Sequence, residues 1–153
     1  MIRRATIEDL EDVQEIVRKT INEIYPNYYP QEVVDFFLNH HKQENIMKDI
    51  HSGNVYILME DGSCIGTGTA NEENISRVFV LPNYQGKGYG SKIMDFLEKI
   101  ISDKYDIINL DSSLPAFKIY LKRGYKPIDY LEQPVENGRV LCYQVMTKSS
   151  CKK

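Results

Sequence analysis

Tryptophan is absent from this chain of 153 residues, and cysteine occurs only three times, as Cys64, Cys142 and Cys151. The cysteines are odd in number, lie far apart and form no C-x-x-C pair. Neither a disulfide framework nor a zinc site is expected from them. Long apolar runs are missing too: nothing approaches the roughly 18 residues that would span a bilayer. The opening residues, Met1-Ile2-Arg3-Arg4, are basic but carry no apolar stretch behind them, so they do not read as a secretory signal. These absences predict a cytoplasmic protein without a membrane partner. A dominant charge sign is also lacking, because the net charge is −3 and no long basic run occurs. Dedicated nucleic-acid binding is disfavoured, since it requires clustered Lys and Arg. There is no internal repeat, linker or low-complexity block. What remains is an ordinary globular composition, 42% hydrophobic and 27% charged, expected to form a single domain over 1–148 with a frayed tail over 149–153.

The hydrophobic period changes along the chain. A short strand is expected at 2–5. Thr6 then stands as an N-cap before Leu10, Val13, Ile16, Val17, Ile21 and Ile24, which recur at helical spacing. The segment YPNYYPQE, residues 25–32, breaks that helix, and helical pieces resume through Val33, Phe36 and Phe37 and through Ile46, Met47 and Ile50. From residue 55 the pattern is that of strands: 55–60, an Asp61-Gly62 turn, 64–70, and 75–81. A long helix follows, then a strand at 107–113, a short helix at 115–124 and a final strand pair around Asn137-Gly138. The expected fold is α+β, with a mixed, mostly antiparallel sheet flanked by helices. The strands at 75–81 and 107–112 are joined by a helix and should run parallel.

Glycine is uncommon except in QGKGYG, where Gly86, Gly88 and Gly90 alternate with other residues just before a helix. A loop without Cβ atoms lets several N–H groups converge on one anion, and the helix N-terminus adds positive potential. Lys87 supplies a full charge. Walker and dinucleotide loops both require other spacings. A glycine-rich structural turn is the plain alternative.

A third pattern fits. Gln85, Gly88 and Gly90, after a strand ending in VLP, resemble the acyl-CoA site of the GNAT superfamily of N-acetyltransferases. The strand meander and the A-x-x-x-Y-x-x-x-G-Y segment that begins at Ala116 fall in the same family order, so the resemblance covers roughly residues 2–147. It implies acetyl-CoA as cosubstrate and splayed parallel central strands. The pyrophosphate would lie on the amides of Gly86, Lys87, Gly88, Tyr89, Gly90 and Ser91. The pantetheine arm would pair with the backbone of Val78, Phe79 and Val80, with an oxyanion donor near Val80. Tyr120 takes the position of the general acid that protonates the departing thiolate. Ala116 takes that of a small residue beside the cofactor, and Ser113 replaces an asparagine that contacts its arm.

The family's general base is not in its usual places, where this chain has Asn74 and Ile108. Glu73 is taken as the base, with Glu72 and Asp111 as substitutes. An acceptor site is expected around Tyr28, Tyr29, Glu32, Phe36 and Tyr84, an aromatic wall with one carboxylate for an ammonium. The acceptor would be an amine-bearing small molecule, or a protein N-terminus or lysine. The resemblance also implies a possible homodimer. His40, His41 and His51 complete no metal constellation and read as surface side chains. Two functions stay open: an N-acetyltransferase acting by direct amine attack, or a CoA-binding sensor without turnover.

Overall fold

Each change of hydrophobic period becomes a change of element in the computed structural model, which describes residues 1–150. Strand β1 (Ile2–Arg4) leads through a tight turn into helix α1 (Leu10–Ile24), followed by α2 (Gln31–His40) and α3 (Gln43–His51). The meander is β2 (Val55–Glu60), β3 (Ser63–Asn71) and β4 (Asn74–Val80). Helix α4 (Tyr89–Ser102), strand β5 (Ile107–Ser112), helix α5 (Phe117–Lys122) and strands β6 (Lys126–Pro134) and β7 (Val140–Ser149) complete the order. Helix α5 is shorter than expected, because Leu114–Ala116 closes as a tight 3-10 turn carrying Pro115.

The seven strands form one sheet in the order β1-β2-β3-β4-β5-β7-β6. Alternation splits its residues between two faces. Val55 and Ile57 join the core under α1, α2 and α3, whereas Tyr56 and Leu58 join the core under α4. Close approach of α4 accounts for the glycines of β3: a Cβ on Gly68 would come within 2.7 Å of Leu97.

The expected tail is shorter than 149–153. Ser149 still pairs with Ile107, and the Ser150 hydroxyl donates to the Tyr105 carbonyl at 2.7 Å. Those contacts are available because β7 runs the full length of β5. The rest of the expected tail, 151–153, lies outside the described residues.

The entry to α1 is fixed electrostatically. Arg3 donates two hydrogen bonds to the Asp9 carboxylate, at 2.8 and 2.9 Å, and the Thr6 N–H donates a third at 2.8 Å. The bond from Arg3 is the main cause holding the Asp9 carboxyl below its ordinary range. A carboxyl depressed in the folded state stabilises the fold above its unfolded value, and this is lost as pH falls through the folded value. Asp9→Asn should therefore lower the thermal midpoint at about pH 7 by several degrees and have a smaller effect at about pH 3, below the unfolded value. Thermal melts of both proteins at the two pH values check this.

Candidate active site

The centre of the sheet comes apart at one place. Strands β4 and β5 pair in parallel only at Asn74 with Asn109 and at Ile75 with Leu110. Beyond that point β5 continues along β7 to Ser112, while β4 stays with β3. The β3–β4 register shifts between Thr67 and Thr69, and Arg77 on the opposing strand has a left-handed φ of 50°. This is the geometry of a bulge, which bends its strand. The wedge left between β4 and β5 is a cleft of about 810 Å³.

A non-glycine residue held at positive φ requires compensation. Here the Arg77 guanidinium supplies it. Its Nη1 donates to Asp49 Oδ2 at 2.8 Å and its Nε donates to His41 Nδ1 at 3.2 Å. The bulge is thus clamped to α2 and α3. His41 also packs edge-on against Phe79, with ring centroids 5.6 Å apart. Burial, then the Arg77 charge, lowers its pKa to about 3, so its imidazole is neutral.

Past the bulge, the outer edge of β4 faces the cleft. The Leu81 N–H bonds to the Ile65 carbonyl, so the neighbouring residue Val80 points its N–H and C=O away from β3. The Val80 carbonyl accepts from Gln85 Nε2 at 2.9 Å and from the Thr20 hydroxyl at 3.3 Å. These two bonds fix the peptide and leave the Val80 N–H aimed into the opening. Gln85 is therefore a strut between loop and strand.

The glycine loop closes one end of the cleft. Gly86 and Gly88 have φ of 75° and 89°, and a Cβ on Gly86, Gly88 or Gly90 would meet no heavy atom within 4 Å. Lys92 is the first residue of α4 whose N–H finds a carbonyl, that of Gly88. Among the described residues, the N–H groups of 86–91 have no acceptor. An open cradle of unpartnered amides at a helix N-terminus fits an anionic group. Lys87 and Tyr89, expected at the cofactor, stand outside the cleft lining as side chains; Lys87 lies over the Tyr84 ring. Only their amides remain with the loop.

Helix α5 and the 3-10 turn before it form the opposite wall, with Ser113, Ala116 and Tyr120 in the lining. Its end is anchored to α4 through Glu98, which accepts from Arg123 at 2.8 Å and from the Tyr125 hydroxyl at 2.7 Å. The Tyr120 ring packs against Tyr125 at 5.7 Å. Burial pushes the Tyr120 pKa up to about 12, and among the described residues its hydroxyl has no hydrogen-bond partner.

This arrangement matches a known domain. A model of the acetyltransferase (GNAT) domain matches residues 24–149. The chain belongs to the GNAT family of N-acetyltransferases. This acetyltransferase is 26% identical over 144 residues to the spermidine N(1)-acetyltransferase of Thermoplasma acidophilum, covering 84% of this chain and 89% of that one. A GCN5-related N-acetyltransferase from Rhodopseudomonas palustris superposes with a TM-score of 0.89 at 24% identity, over 97% of this chain and 94% of that chain. The PaiA N-acetyltransferase of Thermoplasma acidophilum, in complex with coenzyme A, gives a TM-score of 0.75 at 21% identity, over 97% and 98%. Both structures share the fold of this acetyltransferase.

The acceptor side differs from the sequence expectation. Tyr29 is buried, and its hydroxyl accepts from the Leu114 N–H at 2.7 Å. Glu32 accepts from Asn137 at 2.9 Å and lies near Arg139, so its carboxylate is occupied by the β6–β7 hairpin. Tyr28 is half exposed and Tyr84 packs edge-on to Tyr89. None of these four lines the cleft. Of the expected wall only Phe36 does. Glu73 occupies the β3–β4 turn, outside the lining, with its carbonyl held by the Asn109 N–H.

The cleft lining holds instead Tyr25, Phe37, His40, His41, Tyr143 and Asp111, the last of which the sequence offered as a substitute base. Tyr25 ends α1, and burial is the main influence on its phenol, raising its pKa; a hydrogen bond with Ser113 opposes this. Asp111 projects from β5 into the cleft, where burial raises its carboxyl pKa. A sequence signal for the histidines existed. His40 and His41 follow Phe36 and Phe37 by four residues, so on a helix they share the aromatic face.

Proposed function

We propose that the chain transfers an acetyl group from acetyl-CoA to a primary amine within the β4–β5 cleft. The observation that carries this is the continuous run of acceptor-free amides over 86–91, set beside a β4 edge whose Val80 N–H is open. The loop amides hold the pyrophosphate, with Gly86, Gly88 and Gly90 leaving room and Ser91 opening the helix. The free edge of β4 at Val78 and Val80, with the intervening Phe79 turned to β3, takes the amide-bearing arm as an added strand. Acetyl-CoA supplies the activated acyl group when bound. The Val80 N–H donates to the carbonyl oxygen as negative charge grows on it. Tyr120, protonated well past neutral pH, donates to the sulfur as the C–S bond breaks. Ala116 keeps the wall low beside that sulfur, and Ser113 stands within reach of the arm with Tyr25 behind it.

Asp111 takes the place of Glu32 as the partner of the ammonium in this reading, because it is the carboxylate inside the cleft. A carboxylate facing an aromatic wall suits an ammonium group. The relative in Thermoplasma acidophilum is a spermidine acetyltransferase, so polyamines belong on the first acceptor panel, beside 2-phenylethylamine, glucosamine and an alanyl peptide. CoA affinity by calorimetry and thiol release with that panel test the proposal. Saturable CoA binding together with amine-dependent thiol release is expected. CoA binding without release for any amine would replace the enzyme with a sensor.

A further inference from the structure

Two adjacent histidines stand at the acceptor end of the cleft, and the structure puts them in different circumstances. His41 is committed. Its Nδ1 accepts from Arg77, so protonating it would break the clamp that holds the β4 bulge. His40 lines the same cleft and is exposed to it. Its ring stacks on Phe36 at 5.9 Å with the planes 10° apart and meets His41 edge-on at 4.9 Å. Among the described residues, neither ring nitrogen of His40 has a hydrogen-bond partner, although Asn45 holds its backbone carbonyl at 2.9 Å. Its orientation comes from stacking, and its nitrogens are left for a ligand.

Asp111 is the only carboxylate among the described residues of the lining, and it lies within electrostatic reach of His40. A carboxylate and an imidazole do different things to an incoming amine. The carboxylate attracts the ammonium form and stabilises it, which holds the proton in place. A neutral imidazole can take that proton away. Asn74 lines the cleft, and its amide cannot take up a proton from an ammonium. The cleft therefore needs a proton acceptor, and His40 is the free one.

Resting on the acetyl-transfer reading above, we propose that His40 is the general base of the reaction, with Asp111 as the anchor of the ammonium. His40 takes one proton from R–NH3⁺, directly or through one water. The freed lone pair attacks the thioester carbonyl carbon, forming the C–N bond as the C–S bond breaks. The sulfur receives the Tyr120 proton. The nitrogen's second proton restores Tyr120, and the imidazolium releases its own to solvent. The sum is one amide, one thiol and one proton.

His40→Ala, His40→Gln and Asp111→Asn test this with acetyl-CoA and the amine panel named above, read by free thiol, CoA calorimetry and thermal midpoint. For His40→Ala we expect kcat to fall roughly 100-fold, with amine KM and CoA affinity within about threefold of wild type. Added imidazole should restore at least about tenfold in His40→Ala, where the space is open, and nothing in His40→Gln or Asp111→Asn. Three results would overturn the proposal: a His40→Ala kcat within about threefold of wild type, a loss confined to KM, or a lost kcat that imidazole does not rescue. Absence of CoA binding or of turnover in the wild type is a different result, and it removes the acetyl-transfer reading itself.

Discussion

Replacing Tyr120 by phenylalanine is expected to slow acetyl transfer about 1,000-fold while CoA still binds. The change removes one oxygen from a ring that stays packed against Tyr125, so the fold has little reason to respond. What disappears is the one phenol of α5 whose hydroxyl faces the cleft without a partner among the described residues. Its raised pKa of about 12 has two consequences. The proton is present across the physiological range, so the acid is always loaded. A free thiolate, with a pKa near about 8.5, is on its own too weak a base to take that proton outright. The transfer becomes favourable only when the attacking nitrogen, positively charged as the C–N bond forms, returns a proton to the phenol. On the proposed mechanism Tyr120 therefore acts while the bonds change rather than after. The expected signature is a fall in kcat with unchanged CoA affinity, measured by thiol release and calorimetry. A donor thioester with a more acidic thiol should suffer less from the substitution. Equal losses for both donors would reduce Tyr120 to a packing residue.

The two halves of this site differ in how far the sequence reveals them, and the cause is locality. The cofactor side is nearly one continuous segment. Its loop needs positive φ and space, which only glycine provides without strain, so Gly86 and Gly88 announce it directly. The three-strand meander and the parallel pair also follow from hydrophobic period and connection length, whereas the placing of β7 between β5 and β6 does not. The acceptor side is assembled from distant pieces. Tyr25 and Tyr29 are one helical turn apart, and nothing local tells which ring opens into a cleft. The answer depends on the Leu114 amide, 85 residues later, which consumes the Tyr29 hydroxyl. Glu32 is taken by Asn137, 105 residues later. His41 looks like a surface histidine until Arg77 turns through a bulge to meet it. The bulge itself has no marker, since arginine has no preference for that backbone conformation. Glu73 illustrates the opposite error: it sits beside the cleft in sequence, but the tight turn between β3 and β4 carries it outside.

Gly88→Val should lower CoA affinity about 1,000-fold, equivalent to roughly 4 kcal/mol, without unfolding the protein. Two effects are mixed in such a variant. A valine held at a φ of 89° carries backbone strain of about 1–2 kcal/mol. Its side chain also projects into the space that the loop amides need to reach an anion. Gly62 separates these effects. It has a φ of 78°, meets no heavy atom within 4 Å, and lies on the β2–β3 turn outside the cleft. Gly62→Val should therefore show a comparable drop in thermal midpoint with CoA affinity intact. Gly90 separates them from the other direction. Its backbone is helical and its surroundings are equally open, so Gly90→Val adds bulk without the left-handed strain. It should lose affinity while melting close to wild type. Acetylpantetheine, which lacks the pyrophosphate, completes the argument. If the loop acts on the pyrophosphate alone, the Gly88 and Gly90 variants should use this short donor as well as the wild type does. Loss of both donors together would move the effect from the loop amides to the β4 edge, where the arm binds.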